Sequence, residues 1–323
     1  MLYPLKFKPR LKERIWGGDA LGRTLGKKVP DGKTIGESWE ISAVQRDLSV
    51  VATGALKGNS IEELAEIFMG ELVGDKVYEK FGVEFPLLVK YIDTKEMLSV
   101  QVHPDDRLAA DRHGSYGKTE MWYVLEAGPD AVIYAGFRED IMPEEYLDAV
   151  AGKRLPELMN RFTPRAGSAF FIPAGTIHSF GGGILLAEIQ QTSDVTYRIY
   201  DWDRVDANGK PRRLHEELAV DALDYDAAEN VDVTMSPEDN KPVTLEDSPY
   251  FTTNLLKVVT GVERDYSWLD SFVIYMCVDG TAEIDCEGKK EKITKGETVL
   301  IPAIFDRVVA KGNATLLEIY IRQ

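Results

Sequence analysis

A mainly β protein built from two related β-barrel units, with a few inserted α-helices, is the fold this sequence predicts. Three observations carry the expectation. Strand-like runs bounded by Gly, Pro and Asp turn signals recur along most of the 323 residues. A weak internal repeat pairs GSAFFIPA at 167–174 with GETVLIPA at 296–303, which share the Gly and the Ile-Pro-Ala. Upstream of each copy a strand-like run enters a glycine turn, YVLEAG at 123–128 and YMCVDG at 275–280.

The elements follow in order. Residues up to about 51 read as short strands and turns, with Trp16-Gly17-Gly18 and then GESWEIS at 36–42. Residues 60–81 read as helix: Ser60 is an N-cap with Glu63 three residues on, and Leu64, Ile67, Phe68 and Leu72 mark an apolar stripe. Residues 85–102 read as one strand. Residues 120–137 read as a hairpin turning near Gly128-Pro129-Asp130. Helices are expected over 143–162, then strands at 169–172, 184–191 and 196–202. Residues 226–249 are acidic and Pro-punctuated, with few apolar groups, and read as a linker. Residues 251–322 are strand-rich again. A hairpin, a glycine and a strand ending in Ile-Pro-Ala is how many cupin barrels read, so two jelly-roll-like cupin units are expected. The N-terminal unit takes 1–225 with the helical insertions. The C-terminal unit takes 250–323 and is completed by N-terminal strands.

Composition narrows the classes. An apolar fraction of 44% is ample for a globular core, and no run approaches the roughly 18 apolar residues of a membrane helix. The first residues alternate charged and apolar groups without a signal-peptide core, so a cytoplasmic location is expected. The net charge of −16 argues against a broad nucleic-acid surface, and it obliges any anion site to bring its own cations. Two cysteines without CxxC spacing exclude a thiolate zinc site and are expected to be free thiols. No GxGxxG follows a strand, and there is no P-loop, GxSxG elbow or HExxH helix.

The chain has only four histidines, His103, His113, His178 and His215. His103 ends LSVQVHP (98–104), where strand alternation sets Ser99, Gln101 and His103 on one polar face. Glu120 opens the next strand, after Lys118 at the same parity. His178 lies just past the first Ile-Pro-Ala, and the second copy has Arg307 at the matching place, so only the first unit keeps a histidine there. Two imidazoles, a carboxylate and an amide oxygen suit a borderline cation such as zinc. His113 reads as a solvated loop residue and His215 as a helix-start residue.

Four segments in this order resemble the type I phosphomannose isomerase family, in its short bacterial form: GESWEIS at 36–42, LSVQVHPD at 98–105, GKTEMW at 117–122, and GTIHS at 175–179 followed by QQTSDVTYRIYDW at 190–202. The resemblance spans most of the chain, and the second and last segments are the most specific. It implies an aldose–ketose isomerase acting on a sugar phosphate, mannose 6-phosphate to fructose 6-phosphate through a cis-enediol. It implies Gln101, His103, Glu120 and His178 as ligands of one Zn²⁺ ion, and Arg198 as the active-site arginine. Lys95, Ser99 and Lys118 match residues of the family's substrate pocket. Parity agrees: 95, 99, 101 and 103 fall on one strand face, and Thr196, Arg198 and Tyr200 share another. Arg198 is expected to stabilise the enediolate, while the base is open between Lys118 and a metal-bound hydroxide. A small-molecule partner is expected, with no nucleic acid or membrane, in a monomer or weak homodimer. The alternatives are an isomerase of free mannose, an iron bicupin oxygenase and a non-catalytic sugar-binding bicupin. Gln101 and His103 replace the HxH pair such oxygenases usually show, which counts against the second.

Overall fold

The computed structural model describes residues 1–205 and 209–322. In chain order the first unit contains β1 (Arg10–Gly18), β2 (Ile35–Ile41), β3 (Leu87–Thr94), β4 (Val100–Val102), β5 (Glu120–Ala127), β6 (Val132–Phe137), β7 (Met159–Phe162), β8 (Ala169–Ile172), β9 (His178–Gly181), β10 (Ile184–Gln191) and β11 (Tyr197–Tyr200). The second contains β12 (Pro242–Asp247), β13 (Thr252–Val258), β14 (Gly261–Asp265), β15 (Val273–Cys286), β16 (Lys289–Thr294), β17 (Thr298–Ile301) and β18 (Arg307–Tyr320).

The first unit is a sandwich of two sheets, β1-β2-β3-β10-β5-β8 and β11-β4-β9-β6-β7. The second is a seven-stranded sheet around the long strands β15 and β18. The protein is thus mainly β with two cupin jelly-roll units. Among the described residues no sheet closes into a ring: the first unit is a two-sheet sandwich and the second one open sheet, within the jelly-roll class expected.

The repeated phrase marks equivalent elements. β8 pairs antiparallel with β5, and β17 pairs antiparallel with β15. Arg307, the counterpart of His178, is an exposed residue at the start of β18. The N-terminus reaches the second unit, because Leu5 and Leu300 exchange backbone hydrogen bonds at 2.8 and 2.9 Å.

Strands β3 and β10 are buried along their whole length for two different reasons. Their odd residues, among them Leu87, Val89, Leu185 and Ile189, join one core with Ile274, Met276, Leu317 and Ile319 of the second unit. Their even residues face the interior of the first unit, where Leu88, Lys90, Glu188 and Gln190 line a cavity. Period-2 alternation therefore separates an inter-unit core from a polar interior.

Two expected elements divide. Residues 85–102 are not one strand: β3 ends at Thr94, the chain turns, and β4 belongs to the opposite sheet. Residues 120–137 are not a hairpin, since β5 and β6 also lie in opposite sheets. Both are crossings of the sandwich, which look like hairpins when only apolar runs and turns are read. The helix expected over 60–81 is three short ones, Ile61–Phe68, Gly70–Val73 and Asp75–Phe81, the first carrying the Ser60–Glu63 capping box. The segment 226–249 contains β12, paired with β13. Of its six residues only Leu245 is buried, too little apolar signal to announce a strand.

Candidate active site

The two sheets bring two rows of cross-strand neighbours face to face. On one sheet Trp39, Lys90, Glu188 and Trp122 are successive partners across β2, β3, β10 and β5. On the other, Arg198, Gln101 and His178 are successive partners across β11, β4 and β9. Between them lies a cavity of about 380 Å³, within the roughly 300–1,000 Å³ of small-molecule sites. Trp16 reaches it because β1 and β2 approach closely: a Cβ on Gly36 would come within 2.6 Å of the Trp16 ring.

Behind Gln101 and Lys118, which line the cavity, His103, Glu120 and His178 converge. Their ligating atoms all lie within 4.8 Å of one another, and all three side chains are buried. Each imidazole is anchored from its far side. His103 Nδ1 donates to the Val195 carbonyl at 3.1 Å, and His178 Nδ1 donates to the Thr176 carbonyl at 2.8 Å. Both Nε2 lone pairs therefore point inward, the arrangement that orients metal-binding histidines. Burial holds both imidazoles neutral, pushing His103 down to about 3 with help from the Lys118 charge, and lowering His178 as well. Burial raises the Glu120 carboxyl, but Lys118, His103 and His178 together outweigh it and keep the group well below the ordinary range. Lys118 Nζ donates to His103 Nε2 at 2.9 Å. It lies 3.1 Å from Glu120 Oε2, close enough for an ion pair but off the line of a hydrogen bond, so that oxygen is buried without one.

Convergent Nε2 lone pairs and a buried carboxylate with an unused oxygen fit a divalent cation, and these three residues can hold one. Gln101 is next to them, with its Nε2 donating to His178 Nε2 at 3.1 Å. A half-turn of its terminal amide exchanges nitrogen and oxygen and presents Oε1 to the cluster. Ser99 Oγ is 3.5 Å from the Gln101 amide oxygen.

Arg198 lines the same cavity. Its Nη1 donates to the Arg213 carbonyl at 3.1 Å, while its Nε is buried without a partner. Burial, then the charge of Arg212, lowers its pKa. Ser99, Gln101, Lys118 and Arg198 are therefore brought together as the sequence suggests. Lys95 is not. It is exposed in the turn that ends β3 and lines a separate cleft with Gly17, Asp19 and Glu96. Lys95 does not share a face with Ser99, Gln101 and His103 because the chain changes sheets between 94 and 100.

Lys90 and Glu188, which were not expected from the sequence, also line the cavity. Lys90 Nζ is 2.7 Å from Glu188 Oε1, and Glu188 Oε2 accepts from Trp122 Nε1 at 3.0 Å. Burial, then the Glu120 charge, raises the Glu188 carboxyl despite the opposing pull of Lys90. Lys90 also faces Glu37, which Arg14 holds bidentately at 2.8 and 3.2 Å. Burial alone would raise Glu37, yet Lys90 and Arg14 bring it down to about 2. A signal was available: each of Lys90 and Glu188 is a lone charge inside an apolar run, LLVKYI and LLAEI.

These features define a bicupin enzyme whose N-terminal unit carries a metal-capable, cation-lined site. Residues 4–126 match the family described as phosphomannose isomerase type I, catalytic domain, and residues 241–321 match mannose-6-phosphate isomerase, cupin domain. A mannose-6-phosphate isomerase of Streptococcus mutans is 35% identical over 303 residues, covering 94% of this chain and 93% of the relative. Mannose-6-phosphate isomerase ManA of Bacillus subtilis is 42% identical over 225 residues, 68% of each chain. The crystal structure of a Bacillus subtilis mannose 6-phosphate isomerase superposes with a TM-score of 0.86 at 32% identity, over 99% of this chain and 100% of that one. The chain belongs to the type I phosphomannose isomerase family and is an aldose–ketose isomerase.

Proposed function

We propose that this chain interconverts mannose 6-phosphate and fructose 6-phosphate through a cis-enediol, with one zinc ion held by Gln101, His103, Glu120 and His178. One observation carries the reading: a protein of net charge −16 gathers Lys90, Lys118 and Arg198 around a single cavity backed by a buried His–Glu–His cluster. When bound, the zinc ion supplies positive charge that stabilises negative charge developing on the sugar oxygens.

The chain's own groups do the rest. Acting as the free amine, Lys118 Nζ takes the proton from C2 and returns it to C1, while the C2 hydroxyl proton passes to O1, so the product is an isomer with no net loss. The free Nε of Arg198 is a preorganised donor for the enediolate oxygen. Ser99, Lys90 and Arg198 bind the phosphate and the non-reacting hydroxyls. Lys90 takes the place in this set that the family resemblance implied for Lys95.

A second reading, turnover of unphosphorylated mannose, draws on the internal pairing of two pocket cations, Lys90 with Glu188 and Arg14 with Glu37. A coupled assay on both sugars separates the two. The proposal expects kcat/KM for mannose 6-phosphate to exceed that for mannose by on the order of 100-fold or more, the scale of two charge-assisted hydrogen bonds. Equal or better turnover of mannose would replace it with the second reading.

A further inference from the structure

Gln190 follows Glu188 on the inward face of β10 and lines the cavity. Its side chain is fully buried, at 0% exposure. Its amide nitrogen is committed twice, donating to the Gln191 carbonyl at 2.8 Å and to the Ser193 carbonyl at 2.7 Å. Those two acceptors fix the amide's orientation, because the opposite one would set oxygen against two carbonyl oxygens. The remaining atom, Oε1, is buried and accepts nothing. The neighbouring Gln191 is the contrast. It points away from the cavity, accepts from Thr119 N at 2.9 Å and donates to Asp106 Oδ1 at 2.8 Å, so both ends of its amide are used.

A buried acceptor without a partner is costly unless something supplies a donor. An amide oxygen repels a phosphate oxygen, so the donor it selects is a hydroxyl. We propose that Gln190 is a specificity-determining residue whose Oε1 accepts a hydrogen bond from one non-reacting hydroxyl of the sugar, at C3, C4 or C5. This rests on the proposed isomerisation of mannose 6-phosphate. The loop 191–193, which holds the amide, fixes this acceptor before substrate arrives.

The test measures kcat/KM for mannose 6-phosphate and its 3-, 4- and 5-deoxy analogues, with wild type and with Q190M, which keeps the length and removes the acceptor. Q190A is the second variant, since the space it opens admits a water to take over the two bonds to residues 191 and 193. In wild type, one analogue is expected to fall by on the order of 10- to 100-fold more than the other two. In the variants the full substrate falls by a similar factor and that analogue is no longer singled out. Equal losses for the three analogues in wild type, or an equal loss for all four substrates on substitution, would overturn the proposal, as would loss of bound zinc from Q190M. Failure of wild type to turn over mannose 6-phosphate at all would instead sink the functional reading beneath it.

Discussion

The backbone N–H of Arg198 donates to His215 Nδ1 at 3.1 Å, and the N–H of His215 returns a 2.7 Å bond to the Arg198 carbonyl. Arg213, two residues before His215, accepts from the Arg198 guanidinium. One short segment thus fixes both backbone groups and the side chain of the arginine that faces the cavity. His215 touches none of the cavity and acts as a positioning residue. Replacing it with Ala is expected to lower kcat about 10-fold with little change in KM or metal content, the scale of one lost hydrogen bond plus the looser aim of the guanidinium. Asn places an oxygen near the Nδ1 position and is expected to restore most of the loss. Equal loss in H215A and H215N would mean the ring matters only as packing. R198A itself is expected to lose several orders of magnitude in kcat while keeping its metal.

Lys90 and Lys95 make a direct contrast. K90M leaves Glu188 buried without its cation, and breaking such a pair costs about 3–5 kcal/mol. The variant is expected to unfold at lower denaturant and to lose most activity, while K95M is expected to keep activity within about twofold. Steady-state kinetics and urea unfolding of both variants decide it, and a K95M enzyme as damaged as K90M would return Lys95 to the pocket.

Asp93 gives a pH dependence that involves no metal-binding residue. Burial raises its carboxyl to about 6, although backbone N–H groups of Leu21 and Ala20 pull the other way. A carboxyl raised in the folded state carries no penalty below its unfolded value of about 3.9. The penalty sets in as pH rises through that value and is complete above about 6. D93N removes it. The variant's stability relative to wild type is therefore expected to improve by on the order of 1–2 kcal/mol between pH 4.5 and pH 8, read from urea midpoints at the two pH values. A pH-independent difference would contradict the raised carboxyl.

That Gln101, His103, Glu120, His178 and Arg198 come together was legible in the sequence, because each sits at a strand end or on a short strand, where alternation and local motif agree. The two-unit architecture was legible from the repeated Ile-Pro-Ala phrase, whose copies became β8 and β17. What escaped was whatever depends on which sheet a strand joins. Alternation carried Lys95 into the pocket only if 85–102 ran unbroken, and the crossing after Thr94 is not written in any local pattern. Lys90 and Glu188 escaped for a related reason: they lie mid-strand among apolar residues, and their pairing is a register fact between β3 and β10. His113 is exposed as expected, but it closes the helix Asp106–His113 where a loop was read, and its Nε2 lies 2.7 Å from the Tyr197 hydroxyl, a contact made across 84 residues.

The proposed function turns on a zinc ion at His103, Glu120 and His178 that serves the isomerisation. Its most direct test is to follow fructose 6-phosphate formation from mannose 6-phosphate by wild-type enzyme before chelation, after chelation and after zinc is returned, with E120Q alongside. Activity is expected to disappear with the chelator, to return with about one zinc per chain, and not to be restored in E120Q. Full activity in chelated, metal-free protein would contradict it.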